Sequence, residues 1–278
     1  MLSETRNALT IDVEEYFQVS NFARVIGRQD WDNYPSRLAV GLDKILSLLD
    51  EKGVRATFFV LGWIAERHPE LIAAIAARGH EMGTHGYAHQ LVYDQTPQEF
   101  ERELRHSKDI IERITGAEVI GYRAPSLSIT NQSLWALEIL ARNGIRYDTS
   151  IFPIVHNRCG IWNAERFPHK LELNGSFMME FPCSTVEVLG LRFPFCGGGY
   201  LRLLPYPIIR SCIRRINEQG FPVMIYLHPW ELDLAMPRVR AGRLNEFRHY
   251  NNIRSTEIKL RALLEDFRFT SARAVLGL

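Results

Sequence analysis

The sequence has no run approaching the roughly 18 consecutive apolar residues that suggest a membrane-spanning helix, so no integral membrane segment is expected. It has no excess of either charge: 33 Lys and Arg against 32 Asp and Glu leave a formal net charge of +1. That balance gives no argument for nucleic acid or an anionic membrane as partner. Cysteines are few (Cys159, Cys183, Cys196 and Cys212), and without a C-x-x-C pair they speak against a zinc ribbon. The opening stretch MLSETRNALTIDVEEYF lacks a basic segment followed by an apolar one, so it does not read as a secretory leader, and the expected location is cytoplasmic. In that compartment the thiols are expected to be reduced and structural. No repeat or low-complexity linker interrupts the 278 residues, and one domain over 1–278 is expected.

What is present is a hydrophobic content of 46%, enough for a packed core, and a β-then-α rhythm. ALTIDV reads as a strand, and Ser36 to Glu51 as a helix with Leu38, Leu42, Ile45 and Leu49 on one stripe. ATFFVLG is a second strand, followed by a helix from Pro69 to Arg78 that Gly79 stops. HEMGTH is the next strand. Thr96-Pro97-Gln98-Glu99 reads as a capped start for a helix burying Phe100, Leu104, Ile111 and Ile114. EVIGYR, a helix over Thr130 to Asn143, and IRYD continue the pattern. Such units predict parallel strands joined by right-handed crossovers, and hence a closed or nearly closed β/α barrel. Residues 151–205, rich in Pro, Gly and aromatics, break the rhythm and read as hairpins and loops over the active face. A helix over Ile208 to Gln219, the strand VMIYLH and a helix over Thr256 to Phe267 resume it.

In β/α barrels the loops leaving the C-terminal ends of the strands carry the chemistry. Four polar clusters fall there: Asp12 with Glu14, His85 with His89, Arg123, and His228. In a strand Asp12 and Glu14 share a face. Two carboxylates so close repel unless a cation or strong donor stands between them; the alternative is that DVEE is a solvated turn. Gly83 and Gly86 argue against a helix through His85, so His85 and His89 sit in a tight turn able to aim both rings at one point. Imidazoles with one carboxylate, Glu14 or Asp12, suit zinc or a related divalent ion. HEMGTH is not the H-E-x-x-H zinc helix, because its second histidine comes one residue late. CGGGY lacks the ending of a phosphate loop and reads as a close-approach turn. The basic run Arg238 to Arg248 reads as solvated surface or as a contact for an acidic polymer.

In chain order, LTIDVEEYF, THGYAH, YRAP and YLHP resemble the motifs of the polysaccharide deacetylase family, carbohydrate esterases with a NodB-type homology domain. DVEEYFQVSNF and FCGGGYLRLLPY are similar to the subgroup found with exosortase and PEP-CTERM exopolysaccharide loci. The resemblance implies a distorted, seven-stranded, TIM-like (β/α) barrel. It also implies a metal-dependent hydrolase that removes N-acetyl groups from an amino-sugar polysaccharide, its glycan partner. Carried over by position, the catalytic base falls on Asp12, the arginine holding it on Arg123, and the leaving-group acid on His228. The metal histidines fall on His85 and His89. Where many members have a second aspartate this chain has Val13, so Glu14 is taken as the metal carboxylate, with Asp12 as the alternative. Zn2+ is the expected ion, with Co2+, Ni2+ and Mn2+ as alternatives. The N–H of Ser126 is expected to face the oxyanion, and Asp148 to make a structural or substrate-side contact. Tyr16, Phe17, Tyr200 and Trp230 are candidates to stack on sugar rings or to be core. The family's tryptophan motif has no clear match, and the Phe177 to Tyr200 region is expected to fill its place. Hydrolysis of a cyclic or other non-sugar amide, and glycan binding without chemistry, remain open. Nothing indicates the oligomeric state.

Overall fold

Strand β1, Arg6–Val13, sets the layering. Its odd-numbered residues Leu9, Ile11 and Val13 pack outward into the large core shared with the helices, while Ala8, Thr10 and Asp12 turn inward. Both faces are therefore buried, as expected of a strand central to a parallel sheet. The computed structural model describes residues 5–156 and 158–278. The first four residues of the expected 1–278 unit and of the leader reading, and Asn157 within 151–205, lie outside the described residues.

The remaining strands are β2 (Thr57–Val60), β3 (Glu81–Thr84), β4 (Gly121–Tyr122), β5 (Tyr147–Asp148), β6 (His169–Leu173), β7 (Ser176–Glu180), β8 (Thr185–Val188), β9 (Leu191–Pro194), β10 (Met224–Leu227) and β11 (Arg268–Thr270). The helices among the described residues are α1 (Leu38–Lys52), α2 (Gly62–Arg67), α3 (Pro69–Ala77), α4 (Pro97–Thr115), α5 (Trp135–Arg142), α6 (Gly198–Leu203), α7 (Tyr206–Asn217), α8 (Arg243–Tyr250), α9 (Arg254–Asp266) and α10 (Ala272–Leu276). The main sheet runs β10-β1-β2-β3-β4-β5-β7-β6, with β11 also pairing β1. From β10 to β7 every pairing is parallel; β6 is antiparallel at the edge. The fold is thus a distorted (β/α) barrel with seven parallel strands in its wall. Its seam is irregular: Tyr226 N–H bonds Cys196 O at 3.0 Å and Met224 N–H bonds Ser184 Oγ at 2.9 Å.

Local chemistry explains the element boundaries. Thr96 and Glu99 form the reciprocal capping box of α4, which ends at Gly116 with φ 67°. Helix α1 buries Leu38, Leu42, Ile45 and Leu49 but starts after Ser36. The Glu15 carboxylate accepts the N–H groups of Arg37 and Leu38 and the Ser36 hydroxyl, so donors at the helix start are satisfied by a residue 22 positions away. The helix expected from Thr130 begins only at Trp135, because Ser133 Oγ accepts the Thr130 N–H and donates to Ser128 O, holding a turn.

Residues 151–205 do more than cover a face. The β6–β7 hairpin, closed by Asn174 and Gly175 at φ 39° and 90°, supplies a barrel strand. CGGGY is helical from Gly198, which opens α6, and the close approach expected of it is made at that glycine. A Cβ at Gly198 would lie 1.9 Å from Glu231 Oε1. The end of the basic run is helical in α8.

Helix α1 touches the turn after β10 at Gly41, where a Cβ would lie 1.9 Å from Pro229 O. That turn carries Trp230 and Glu231. Gly41→Ala is expected to lower stability by about 1–3 kcal/mol, read as a lower denaturant midpoint at an unchanged m-value.

Candidate active site

The barrel's inner face narrows around a fully buried arginine. Arg123 leaves the end of β4 and donates from Nη1 to Asp12 Oδ1 and Thr10 Oγ1, both at 2.7 Å, and from Nε to Thr149 Oγ1 at 2.8 Å. Its guanidinium carbon lies 4.5 Å from the centre of the Phe59 ring. A buried charge of this kind is stable only when paired and hydrogen-bonded, and Asp12 supplies the opposite charge.

Strand β1 ends at Val13, and Glu14 N–H bonds Asp12 O at 3.1 Å in a tight turn. Glu14 therefore reaches the cavity from a bend rather than by strand alternation. Its Oε2 is 2.9 Å from His89 Nε2, and its Oε1 is 3.2 Å from His228 Nε2. Burial would raise its pKa, but His89, His228 and His85 outweigh that and hold it at about 2.

His85 follows β3, and its Nδ1 lies 2.8 Å from Arg123 O. A carbonyl only accepts, so Nδ1 carries the hydrogen and Nε2 keeps its lone pair, the arrangement metal-binding histidines adopt. Burial lowers its pKa to about 4, which keeps it neutral as a ligand must be. Gly86, at φ 76°, turns the chain back, and His89 itself sits at φ 50°. A non-glycine residue held there is uncommon, and such residues cluster at ligand clamps.

The donor atoms of Glu14, His85 and His89 all lie within 4.8 Å of one another. Asp12, with Oδ1 held by Arg123, is not in that group. Two imidazoles and one carboxylate, opening onto a cavity of about 440 Å3, match the donor set of an open catalytic metal site. Glu14 Oε2 adds a second sign of fit: it is buried and makes no aligned hydrogen bond, which leaves an oxygen for a cation.

His228 follows β10 on the opposite wall. Its Nδ1 is 2.6 Å from Glu231 Oε1, and its Nε2 lies 3.9 Å from Asp12 Oδ2. Burial works against its charge, but Glu14, Glu231 and Asp12 prevail and raise its pKa to about 9. Glu231 is fully buried; Arg202 and His228 overcome its desolvation and keep its pKa below the usual carboxylate range. Arg202 Nε donates to Glu231 Oε2 at 2.7 Å. Neither Glu231 nor Arg202 was picked out in the sequence. The available signals were the i, i+3 spacing in HPWE and a lone cation in the apolar run YLRLL.

The other expected residues divide. Ser126, at φ 52°, lines the cavity and its Oγ is 2.6 Å from Ser20 Oγ. Tyr200 also lines the cavity and is half-buried. Trp230 borders the cavity but is 6% exposed, stacked on His228 at 5.0 Å and on His249 at 4.1 Å. Tyr16 and Phe17 are core. Asp148 is off the cavity wall: it is fully buried and accepts from Ser150 N–H and Oγ, while Ser150 Oγ accepts the Ala124 N–H. Of the two contacts expected for Asp148 it makes the structural one, bracing the turn after Arg123. His80 lies away from the site and its Nδ1 accepts the Ala56 N–H.

Residues 31–147 match the family model described as polysaccharide deacetylase, and residues 149–277 match a domain of unknown function (DUF3473). A peptidoglycan deacetylase of Helicobacter pylori is 33% identical over 118 residues, which is 42% of this chain and 38% of that protein. A peptidoglycan-N-acetylglucosamine deacetylase of Bacillus cereus is 35% identical over 96 residues, 34% of this chain and 35% of that protein. The chain thus spans little more than a third of the length of these curated relatives. Among solved structures, a Mycobacterium smegmatis protein provisionally named a polysaccharide deacetylase superposes with a TM-score of 0.60 at 20% identity, over 100% of this chain and 91% of that one. The peptidoglycan deacetylase PdaC of Bacillus subtilis gives 0.52 at 15% identity, over 98% and 90%. A CE4 family pseudoenzyme of Bacillus anthracis gives 0.50 at 14%, over 99% and 66%. At these identities the superpositions speak for the fold alone. Joined to the sequence match, they leave one conclusion: residues 31–147 of this chain carry a polysaccharide deacetylase domain of the NodB type, within a chain that has the fold of the solved deacetylases.

Proposed function

We propose that the protein is a metal-dependent N-deacetylase acting on an amino-sugar-containing polysaccharide. The observation that carries this reading is the convergence of Glu14, His85 and His89 beside an aspartate held by a buried arginine. The likeness of DVEEYFQVSNF and FCGGGYLRLLPY to the exosortase-associated subgroup supports a place in exopolysaccharide biosynthesis. The names of the matched relatives support peptidoglycan- or chitin-like amino sugars as the chemical type.

A divalent ion held by Glu14, His85 and His89, with zinc the first choice, would lower the pKa of a water from about 15.7 toward about 7. Asp12 is the base. Arg123 occupies its Oδ1, which leaves Oδ2 to take the proton of the attacking water. The left-handed turn at Ser126 offers a backbone N–H to the tetrahedral oxyanion. His228 gives its Nε2 proton to the nitrogen as the C–N bond breaks, and Glu231 keeps that imidazole charged and oriented. Water's oxygen ends on the acyl carbon; acetate and a free amine leave.

The His85→Ala, His89→Ala double variant is expected to bind less than about a tenth of the wild-type metal by elemental analysis; near-normal content would overturn the ligand assignment. Asp12→Asn is expected to keep its metal and lose about 10²- to 10⁴-fold in acetate release; loss of metal instead would make Asp12 the ligand. Glu231→Gln removes a negative charge from His228 and so lowers its pKa. Activity needs the protonated imidazole, so the alkaline limb of the kcat/KM profile should move to lower pH by about one to two units; an unmoved limb would remove Glu231 from the mechanism.

A further inference from the structure

The cavity changes sign between its floor and its mouth. Its carboxylates, Asp12, Glu14 and Glu231, are buried, and each is already matched by Arg123, by His89 and His228, or by Arg202. On the outer wall stand Arg158 and Arg248, both exposed and both outside any ion pair of the described residues. Exposed arginines without an ion pair among the described residues also occur elsewhere, Arg24, Arg113 and Arg254 among them, but Arg158 and Arg248 are the ones of this kind that line the cavity. The mouth therefore carries two unmatched positive charges on a chain whose formal net charge is only +1.

His156 lines the same cavity as the two arginines, and burial lowers the pKa of its imidazole, with Arg158 and Arg248 lowering it further. Its Nδ1 accepts the N–H groups of Arg158 at 3.1 Å and Cys159 at 3.3 Å. The ring hydrogen is therefore on Nε2, a further donor on the same wall. Tyr200 and Phe247, the latter 55% exposed, add aromatic surface beside them.

A neutral oligosaccharide would leave these donors facing hydroxyls. A carboxylate would be held by charge-assisted hydrogen bonds, for which arginine is the preferred partner. Resting on the deacetylase reading, we infer that the cavity mouth is a subsite for a carboxylate-bearing sugar next to the N-acetylated one, so that the substrate is an acidic glycan.

The test uses the full metal-loaded chain and two probes: oligosaccharides alternating N-acetylglucosamine with glucuronic acid, and the same oligosaccharides with the uronic carboxyl reduced to an alcohol. Titration calorimetry at low salt is expected to give at least about tenfold tighter binding of the acidic form, and acetate release the same preference in KM. The preference should shrink as salt rises and collapse toward one in the Arg158→Gln, Arg248→Gln variant, with circular dichroism checking its fold. Equal affinity for the two probes, or none for either, overturns the subsite. Preferential binding of the acid without acetate release from any N-acetylated glycan supports the subsite and overturns the deacetylase reading, so the two failures are distinguishable.

Discussion

Everything in the site follows from two carboxylates, Asp12 and Glu14, buried within two residues of each other at the end of β1. Neither can be ionised there without a cation at close range, because desolvation and mutual repulsion act in the same direction. The fold answers by dividing the task. Arg123, from the barrel's far wall, neutralises Asp12 and fixes one of its oxygens. Imidazoles from the β3 and β10 loops surround Glu14. One acid is thereby left with one oxygen not held by Arg123, and the other with a buried oxygen among imidazole nitrogens.

The opposite wall repeats the logic with signs exchanged. His228 holds its charge inside the protein because Glu14, Glu231 and Asp12 face it, and Glu231 is in turn held charged by Arg202 and His228. Arg202 in turn bonds the carbonyls of Arg248, His249 and Asn251, which ties the acid to the segment forming the mouth. Of the non-glycine residues with positive φ, His89, Ser126 and Leu127 line the cavity, whereas Asn174, Leu189 and Asn252 lie in the turns β6–β7, β8–β9 and α8–α9. Such conformations persist where surrounding contacts over-determine them.

Much of this could be read from local patterns. Asp12 and Glu14, His85 and His89, Arg123 and His228 stand at the ends of strands that apolar runs announce, and the spacing within Asp12/Glu14 and within His85/His89 is short. The capping box at Thr96 and the burial stripe of α1 are legible for the same reason. What escaped was set by distance along the chain. Glu15 serves the start of α1 22 residues on, Arg202 meets Glu231 29 residues on, and Gly198 is small because a carboxylate from another segment lies over it. The hairpin Asn174-Gly175 was visible as a dipeptide, yet that its second strand joins the barrel wall depends on β5, which local pattern does not reveal. Reading Glu14 as a continuation of the strand placed it on the right side for an incomplete reason, since the chain bends before it.

Arg123 does two things with different atoms. Its side chain grips Asp12, and its carbonyl oxygen takes the ring hydrogen of His85. Asp12 and His85 are thus indexed to a single Cα. A shift of the β4 terminus would carry both together and preserve their spacing, so drift elsewhere in the barrel can be absorbed without retuning one half of the machinery against the other.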